Sequence, residues 1–89
     1  NNMRADKEKV ARLLKTARGQ LDGVLKMVEE DRYCIEISNQ LLATQAVLKK
    51  ANREVLQAHL AGCVQEAFQT GNENEKIAEI LDLLEKIAK

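Results

Sequence analysis

Apolar side chains recur at steps of three and four residues along most of the chain, the spacing that places them on one face of an α-helix. Polar interruptions divide the pattern into three segments, which predict helices over about residues 7–29, 33–70 and 74–88. No segment shows the strict alternation typical of a β-strand. The pattern therefore predicts an all-α, three-helix protomer with a long central helix.

The first segment has one apolar stripe and stops at the charged run 29–32. Gly19 and Gly23 lie four residues apart within it, and two small residues on one face indicate close approach of another helix. The stripe consists of Val10, Leu13, Leu14, Ala17, Leu21, Val24, Leu25 and Val28.

The second segment is apolar on more than one face, so it must pack on two sides. Asp31 is its predicted N-cap, and a bend is expected at Gly62, its only interior glycine. The main stripe consists of Ile37, Leu41, Thr44, Leu48, Ala51, Val55, Leu60, Val64 and Phe68, and Ile35, Leu42, Val47 and Leu56 widen it.

The third segment follows Gly71, a residue type that favours the end of a helix, and Asn72 with Glu75 has the spacing of a capping box. No repeat, linker or low-complexity stretch divides the chain, so we expect one domain over residues 1–89. The predicted buried stripe of the third helix is Ile77, Ile80, Leu81, Leu84 and Ile87.

Composition narrows the class of protein. Only 2% of the 89 residues are aromatic, so the core must consist mainly of Leu, Ile, Val and Ala, and chains this short often depend on oligomerisation or metal. No apolar run approaches the roughly 20 residues that cross a bilayer, and no secretory signal is evident. We expect a cytoplasmic protein.

Charge is balanced overall but unevenly distributed. Residues 1–20 carry six Lys and Arg against two Asp and Glu, whereas residues 61–89 carry three against six. Such faces are usually only solvated, and no recognised DNA-binding motif is present. Basic residues on the first helix and in the middle of the second are nevertheless candidate phosphate contacts: Arg12, Lys15, Arg18, Lys49, Lys50 and Arg53.

Two cysteines and one histidine carry the candidate chemistry. His59 and Cys63 are four residues apart and project from one helical face, which suits a shared metal ion or simply a partly buried histidine beside an ordinary cysteine. Cys34 precedes His59 by 25 residues, about 38 Å along one helix. We expect it to join the pair only across an antiparallel dimer whose twofold axis lies near Val47 and Leu48.

One imidazole and two thiolates form a soft set of three ligands, which favours Cu(I). Zinc usually takes four ligands, and zinc with water, or nickel or cobalt with a backbone or terminal nitrogen, remain open. Tyr33 and Glu79 are candidate hydrogen-bond partners for a metal-bound histidine. From spacing alone, an exposed glutamate and a tyrosine that caps the core are the better explanations.

At these residues the sequence resembles the copper-sensitive operon repressor (CsoR) family, which includes nickel/cobalt, formaldehyde and persulfide sensors. The resemblance covers nearly the whole chain, through residues 14–23, 27–34, 51–53 and 59–63. A cysteine, a histidine 25 residues later and a cysteine four further on form the family's Cu(I)-ligand pattern. The resemblance implies a dimer of dimers, a homotetramer, that binds operator DNA when metal-free and releases it when Cu(I) binds.

The resemblance also implies one Cu(I) per protomer, shared between two chains. Nickel/cobalt sensors carry a histidine where Asn2 stands here by spacing, persulfide sensors lack the histidine, and formaldehyde sensors lack the second cysteine. The residues carried over are the ligands Cys34, His59 and Cys63 and their hydrogen-bonding neighbours Tyr33 and Glu79.

One position departs from the family. An arginine used for DNA contact is replaced by Leu13, although Arg12 is adjacent, and a second basic position is matched by Lys50. Repeated over four chains, such basic residues predict salt-dependent DNA binding with largely shape-based readout.

Other function classes are weaker. We expect no enzyme, no small-molecule substrate and no membrane partner, because an all-helical chain offers no evident oxyanion loop or substrate cleft. The main alternative is a thiol- or persulfide-responsive repressor that links Cys34 and Cys63 of facing chains. A Ni-, Co- or Zn-responsive repressor, a metal store and a purely structural dimer are further alternatives.

Overall fold

The computed structural model describes residues 3–71 and 73–88 and contains three helices: α1 (Lys7–Glu29), α2 (Cys34–Thr70) and α3 (Glu73–Ala88). Within those ranges no residue forms a strand, so the predicted all-α fold with a long central helix is confirmed. The helix ends lie within a residue of those expected from the apolar pattern. None of the described helices is both long enough and apolar enough to cross a membrane.

Local capping explains where α1 begins and α2 ends. The Asp6 carboxylate accepts hydrogen bonds from the backbone N–H groups of Glu8 and Lys9, at 3.0 and 3.3 Å, which satisfies two otherwise free donors. Gly71 closes α2 with φ 75° and donates its N–H to the Ala67 carbonyl, as predicted for a glycine there. The proposed capping box at Asn72 lies outside the described residues.

The prediction that Asp31 caps α2 is wrong. Asp31 adopts φ 53°, a left-handed conformation within the turn, so the helix begins three residues later, at Cys34. Tyr33 occupies the N-cap in an extended conformation and makes no side-chain capping bond. The short turn reverses the chain, and α1 packs against α2 as an antiparallel hairpin.

Small residues spaced by seven bring α1 and α2 together, as in coiled-coil packing. Because the facing side chains are small, this seam buries little apolar surface. The glycine face at residues 19 and 23 has no neighbour within 4 Å, so the helix expected against it is not supplied by the same chain. The buried residues of the seam are Val10, Ala17 and Val24 on α1 and Thr44 and Ala51 on α2.

Among the residues that the structure describes, the third helix packs only against α2, and its contact face differs from the predicted stripe. Ile80 and Leu83 are half-buried, whereas Ile77, Leu81 and Leu84 are at least half exposed. The stripe prediction is therefore wrong for a single protomer, because one short helix can bury only the side that faces α2. Ile87 lies outside the described side chains.

Candidate metal centre

His59 and Cys63 lie one turn apart in the C-terminal half of α2. The Cys63 Sγ is 3.1 Å from the His59 Nε2, so the spacing of four residues brings the two side chains into contact. Cys63 is fully buried, at 0% exposure, whereas the His59 side chain is 36% exposed. The pair thus combines a protected thiol with an imidazole that opens towards solvent.

Glu79 reaches this pair from α3. Its Oε1 lies 2.9 Å from the His59 Nε2, and Lys76, one turn earlier, places its Nζ 3.6 Å from the other carboxylate oxygen. The hydrogen bond with His59 lowers the pKa of Glu79, partial desolvation opposes this, and the positive charge of Lys76 adds to the lowering. Glu79 is therefore an ionised carboxylate in the neutral pH range, and its hydrogen bond fixes the orientation of the His59 ring.

The donor atoms of His59, Cys63 and Glu79 all lie within 4.8 Å of one another. They open into a cleft of about 720 Å³. A thiol and an imidazole are ligands for soft or borderline ions, and a carboxylate beside the histidine is the usual partner that fixes its ring. The residues present therefore fit a soft metal ion, with Glu79 as an orienting group.

The cleft has a further wall that the sequence did not reveal. Met3 and Arg4, which precede α1, line it together with Glu66 and Lys76. The Arg4 guanidinium forms an ion pair with Glu66. These two residues are 62 positions apart, so no local pattern predicts their contact.

The structure does not bring Cys34 and Tyr33 to this cluster within one chain. Cys34 is an exposed free cysteine in the first turn of α2, and Tyr33 is 67% exposed beside it. About 38 Å of continuous helix separates Cys34 from His59. The predicted set of three ligands is thus split into two half-sites at opposite ends of α2.

The six predicted basic contacts are all exposed on α1 and α2. Within residues 3–71 and 73–88, no ion pair involves any of them: Arg12, Lys15, Arg18, Lys49, Lys50 and Arg53. Their charges are therefore available to an anionic partner. Leu13, at the family arginine position, is half-buried.

Comparison with known proteins identifies relatives over nearly the full chain. A family model described as metal-sensitive transcriptional repressor matches residues 6–86. The copper-sensing transcriptional repressor CsoR of Mycobacterium ulcerans is 44% identical over 78 residues, covering 86% of this chain and 67% of that protein. CsoR of Bacillus subtilis is 37% identical over 84 residues, covering 94% and 83%.

Two solved structures of metal-responsive regulators have a similar fold. The copper-sensing repressor CsoR with Cu(I) from Geobacillus thermodenitrificans superposes with a TM-score of 0.83 and 38% identity, covering 92% of this chain and 85% of that one. The nickel-responsive transcriptional regulator InrS gives a TM-score of 0.82 and 28% identity, with 96% of each chain covered. The three-helix arrangement is thus shared by regulators that respond to different metals.

Proposed function

The chain belongs to the metal-sensitive transcriptional repressors, a family of regulators rather than enzymes, and we propose that it is a cytoplasmic Cu(I)-responsive repressor. It binds operator DNA when metal-free and releases the DNA when Cu(I) binds. The contact of Cys63 with a histidine that Glu79 holds from behind is the observation that carries this proposal. The copper-sensing relatives named above support the choice of metal.

His59 and Cys63 would hold the ion from one chain. A ring nitrogen carries at most one proton, and the carboxylate of Glu79 is a stronger acceptor than the sulfur of Cys63 for the proton on Nε2. With that proton directed to Glu79, Nδ1 keeps its lone pair free. The third soft ligand is Cys34 of a second chain, which gives one Cu(I) per protomer.

The geometry of α2 supports a site shared between chains. At about 100° per residue, Cys34, Leu41, Leu48, His59 and Cys63 fall within one sector of about 60° on the helix surface. Two copies of this face, packed antiparallel about an axis near Leu48, place Cys34 of each chain beside His59 and Cys63 of the other. A twofold dimer then holds two equivalent sites.

The exposed surface of the protomer also supports assembly. Its accessible area is 6998 Å², whereas a compact monomer of this mass exposes only about 5,200 Å². Large apolar side chains contribute to the exposed area, with Phe68 78% exposed and Leu81 60% exposed. Patches of this kind in one small protein mark interfaces, and we propose a dimer that pairs again into a homotetramer.

Operator DNA is the proposed partner of the six free basic residues. Arg12, Lys15 and Arg18 lie at steps of three on α1, and therefore share a face. Repetition of these charges over four chains would give a broad positive surface whose affinity for phosphate falls with added salt. Because no base-reading motif is present, sequence preference would come mainly from DNA shape.

The switch follows from linkage between the two ligands. Cu(I), when bound, supplies a bond that ties Cys34 of one chain to the His59–Cys63 pair of another. His59 connects that bond to Glu79, so α3 is held to α2 at the same point. When the DNA-binding conformation spaces these groups differently, bound Cu(I) lowers the affinity for DNA. By linkage, bound DNA lowers the affinity for Cu(I) by the same factor, typically about 5–150-fold.

Replacing Glu79 by Ala or Tyr33 by Phe is expected to leave Cu(I) affinity high while weakening Cu(I)-driven release of DNA. In both variants the three metal ligands are retained. Glu79→Ala loses the hydrogen bond that connects His59 to α3, and Tyr33→Phe loses the hydroxyl group beside Cys34. The measurement is the ratio of DNA affinities with and without Cu(I), alongside a chelator competition for the metal. Variants that release DNA with the parent's Cu(I) dependence would exclude this role.

The proposed function is tested by anaerobic titration of Cu(I) into reduced protein bound to fluorescent promoter DNA, in a copper-buffering chelator. We expect release to be complete at one Cu(I) per protomer. Retention of DNA under Cu(I), with release by a persulfide donor, would instead identify a thiol sensor. Release by Ni(II) but not by Cu(I) would place the chain with nickel-responsive regulators such as InrS.

A further inference from the structure

Lys76 lies between two cavities where α3 contacts α2. It lines the metal cleft together with His59, Cys63 and Glu79. A lysine can cover apolar surface with its aliphatic stem while its ammonium group stays in a polar environment. The stem therefore anchors the Lys76 ammonium group in the metal cleft. The second cavity that Lys76 lines is apolar, has a volume of about 190 Å³ and is otherwise formed by Val64, Ala67, Phe68, Ile77 and Ile80.

The Glu79 carboxylate is held at both of its oxygens. Its Oε1 lies 2.9 Å from the His59 Nε2 on α2, and its Oε2 lies 3.6 Å from the Lys76 Nζ on α3. Lys76 and Glu79 are three residues apart on one helix, so the helix itself brings this ion pair together. A free glutamate side chain samples several rotamers, and the second partner restricts it to those that direct Oε1 at His59.

The ion pair of Lys76 is less exposed than a comparable pair on the same helix. The Lys76 side chain is 27% exposed, whereas Lys86, which pairs with Asp82, is 70% exposed. Opposite charges attract more strongly where water is partly excluded. The pKa of Glu79 is lowered mainly by the hydrogen bond with His59, and the charge of Lys76 lowers it further. The cleft therefore favours a lasting contact between Lys76 and the carboxylate.

Cys63 is the competing partner of the His59 ring. Its Sγ lies 3.1 Å from the same Nε2 that faces Glu79. A carboxylate accepts the proton on Nε2, whereas a thiol donates to an Nε2 that carries none. When the carboxylate rotates away, the ring proton can therefore move to Nδ1, the nitrogen that the proposed function leaves free for metal.

We propose that Lys76 is a positioning residue that holds Glu79 against His59 and thereby fixes the tautomer in which Nε2 carries the proton. The effect on the ring belongs to the metal-free protein and does not depend on copper. The resulting effect on DNA release rests on the proposed function. Lys76→Met removes the charge but keeps an unbranched stem in the apolar cavity, so it loosens Glu79 without unpacking α3.

The first test is the ¹⁵N chemical shifts of the His59 ring in metal-free protein, in mildly alkaline buffer where an ordinary imidazole is neutral. His59 is the single histidine of the chain, so its ring signals are unambiguous. Glu79→Ala defines the shifts of a ring without its carboxylate. Lys76→Met should move both nitrogen shifts part of the way to those values, and Lys76→Arg, which restores the charge, should keep the parent shifts.

The second test is the ratio of promoter affinities in metal-free and Cu(I)-saturated protein, which does not depend on the affinity for Cu(I). Lys76→Met should reduce this ratio about 2- to 5-fold, the range for a partly exposed ion pair. In a Glu79→Ala background the same substitution should have no further effect, because the two residues act as one unit. An equal reduction in both backgrounds would show that Lys76 acts independently of Glu79 and would overturn the proposal.

The matched control is Lys86→Met, which removes the ion pair with Asp82 at 3.0 Å on the same helix and does not change a residue of the metal cleft. Parent ring shifts in Lys76→Met, or equal changes in Lys86→Met, would contradict the positioning role. Ring shifts that move as expected in a protein whose DNA binding ignores Cu(I) would support the positioning role and reject the proposed function alone.

Discussion

Replacing Cys34 or Cys63 by Ser is expected to lower Cu(I) affinity by more than about 100-fold, because it removes one of the three ligands themselves, whereas loss of an outer hydrogen-bond partner typically costs about 10–100-fold in affinity or activity. A hydroxyl is a hard, weakly acidic donor and does not substitute for a thiolate on a soft ion. Both variants should still bind DNA, since neither cysteine lies among the free basic residues. They should therefore act as repressors that Cu(I) cannot induce.

Competition against a Cu(I) chelator of known affinity measures this loss. Ala61→Ser is the matched control, since it adds a hydroxyl to the same turn of α2 at an exposed position between His59 and Cys63. It should bind Cu(I) like the parent. Affinity within a few-fold of the parent in Cys34→Ser would show that Cys34 is no ligand, and the His59–Cys63 pair would then need another partner.

Leu48→Glu is expected to abolish tight Cu(I) binding even though every ligand is retained. Leu48 is 43% exposed in the protomer and lies where the proposed twofold axis crosses α2. Burying one leucine side chain stabilises the dimer by about 1.5–3 kcal/mol. Because the dimer is twofold symmetric, the substitution removes this contribution from both chains and places two carboxylates opposite each other. Because each site requires two chains, dissociation of the dimer separates Cys34 from its two partners.

Sedimentation measures the assembly, and chelator competition measures the metal on the same samples. Leu48→Met is the control, because it keeps an apolar side chain of similar volume and should preserve both properties. Circular dichroism checks that Leu48→Glu remains helical. A monomeric Leu48→Glu protein that still binds Cu(I) tightly would contradict a site shared between chains.

The helices could be predicted because their causes are local. The stripe from Val10 to Val28 and the glycine at 71 fix the limits of α1 and α2 through periodicity and backbone conformation. The N-cap of α2 was misassigned because Asp31 has the chemistry of a cap but takes a left-handed conformation in the turn. Side-chain type alone does not report that conformation.

The stripe on α3 was misjudged for a different reason. Periodicity predicts which side chains avoid water, but not whether the same chain supplies their cover. Leu81 and Leu84 remain exposed because they lie away from the side of α3 on which Ile80 and Leu83 are half-buried. Apolar residues that a single protomer leaves exposed are, on the present account, interface residues.

Part of the metal centre could also be predicted from the sequence, and part could not. The contact between His59 and Cys63 follows from their spacing, and the position of Glu79 beside them was implied by the family resemblance. The Arg4–Glu66 contact could not be anticipated, because it depends on how the residues before α1 meet the far end of α2. The sequence therefore identifies the candidate ligands but not the other residues that line the cleft around them.

Mixing two inactive variants tests the central claim most directly. A Cys34→Ser chain and a Cys63→Ser chain, differently tagged and assembled together, form a mixed dimer in which one of the two shared sites keeps all three ligands. The account predicts that this dimer binds one Cu(I) with parental affinity and regains Cu(I)-driven release of promoter DNA. A mixed dimer that binds Cu(I) no better than either variant alone would contradict a site built from two chains.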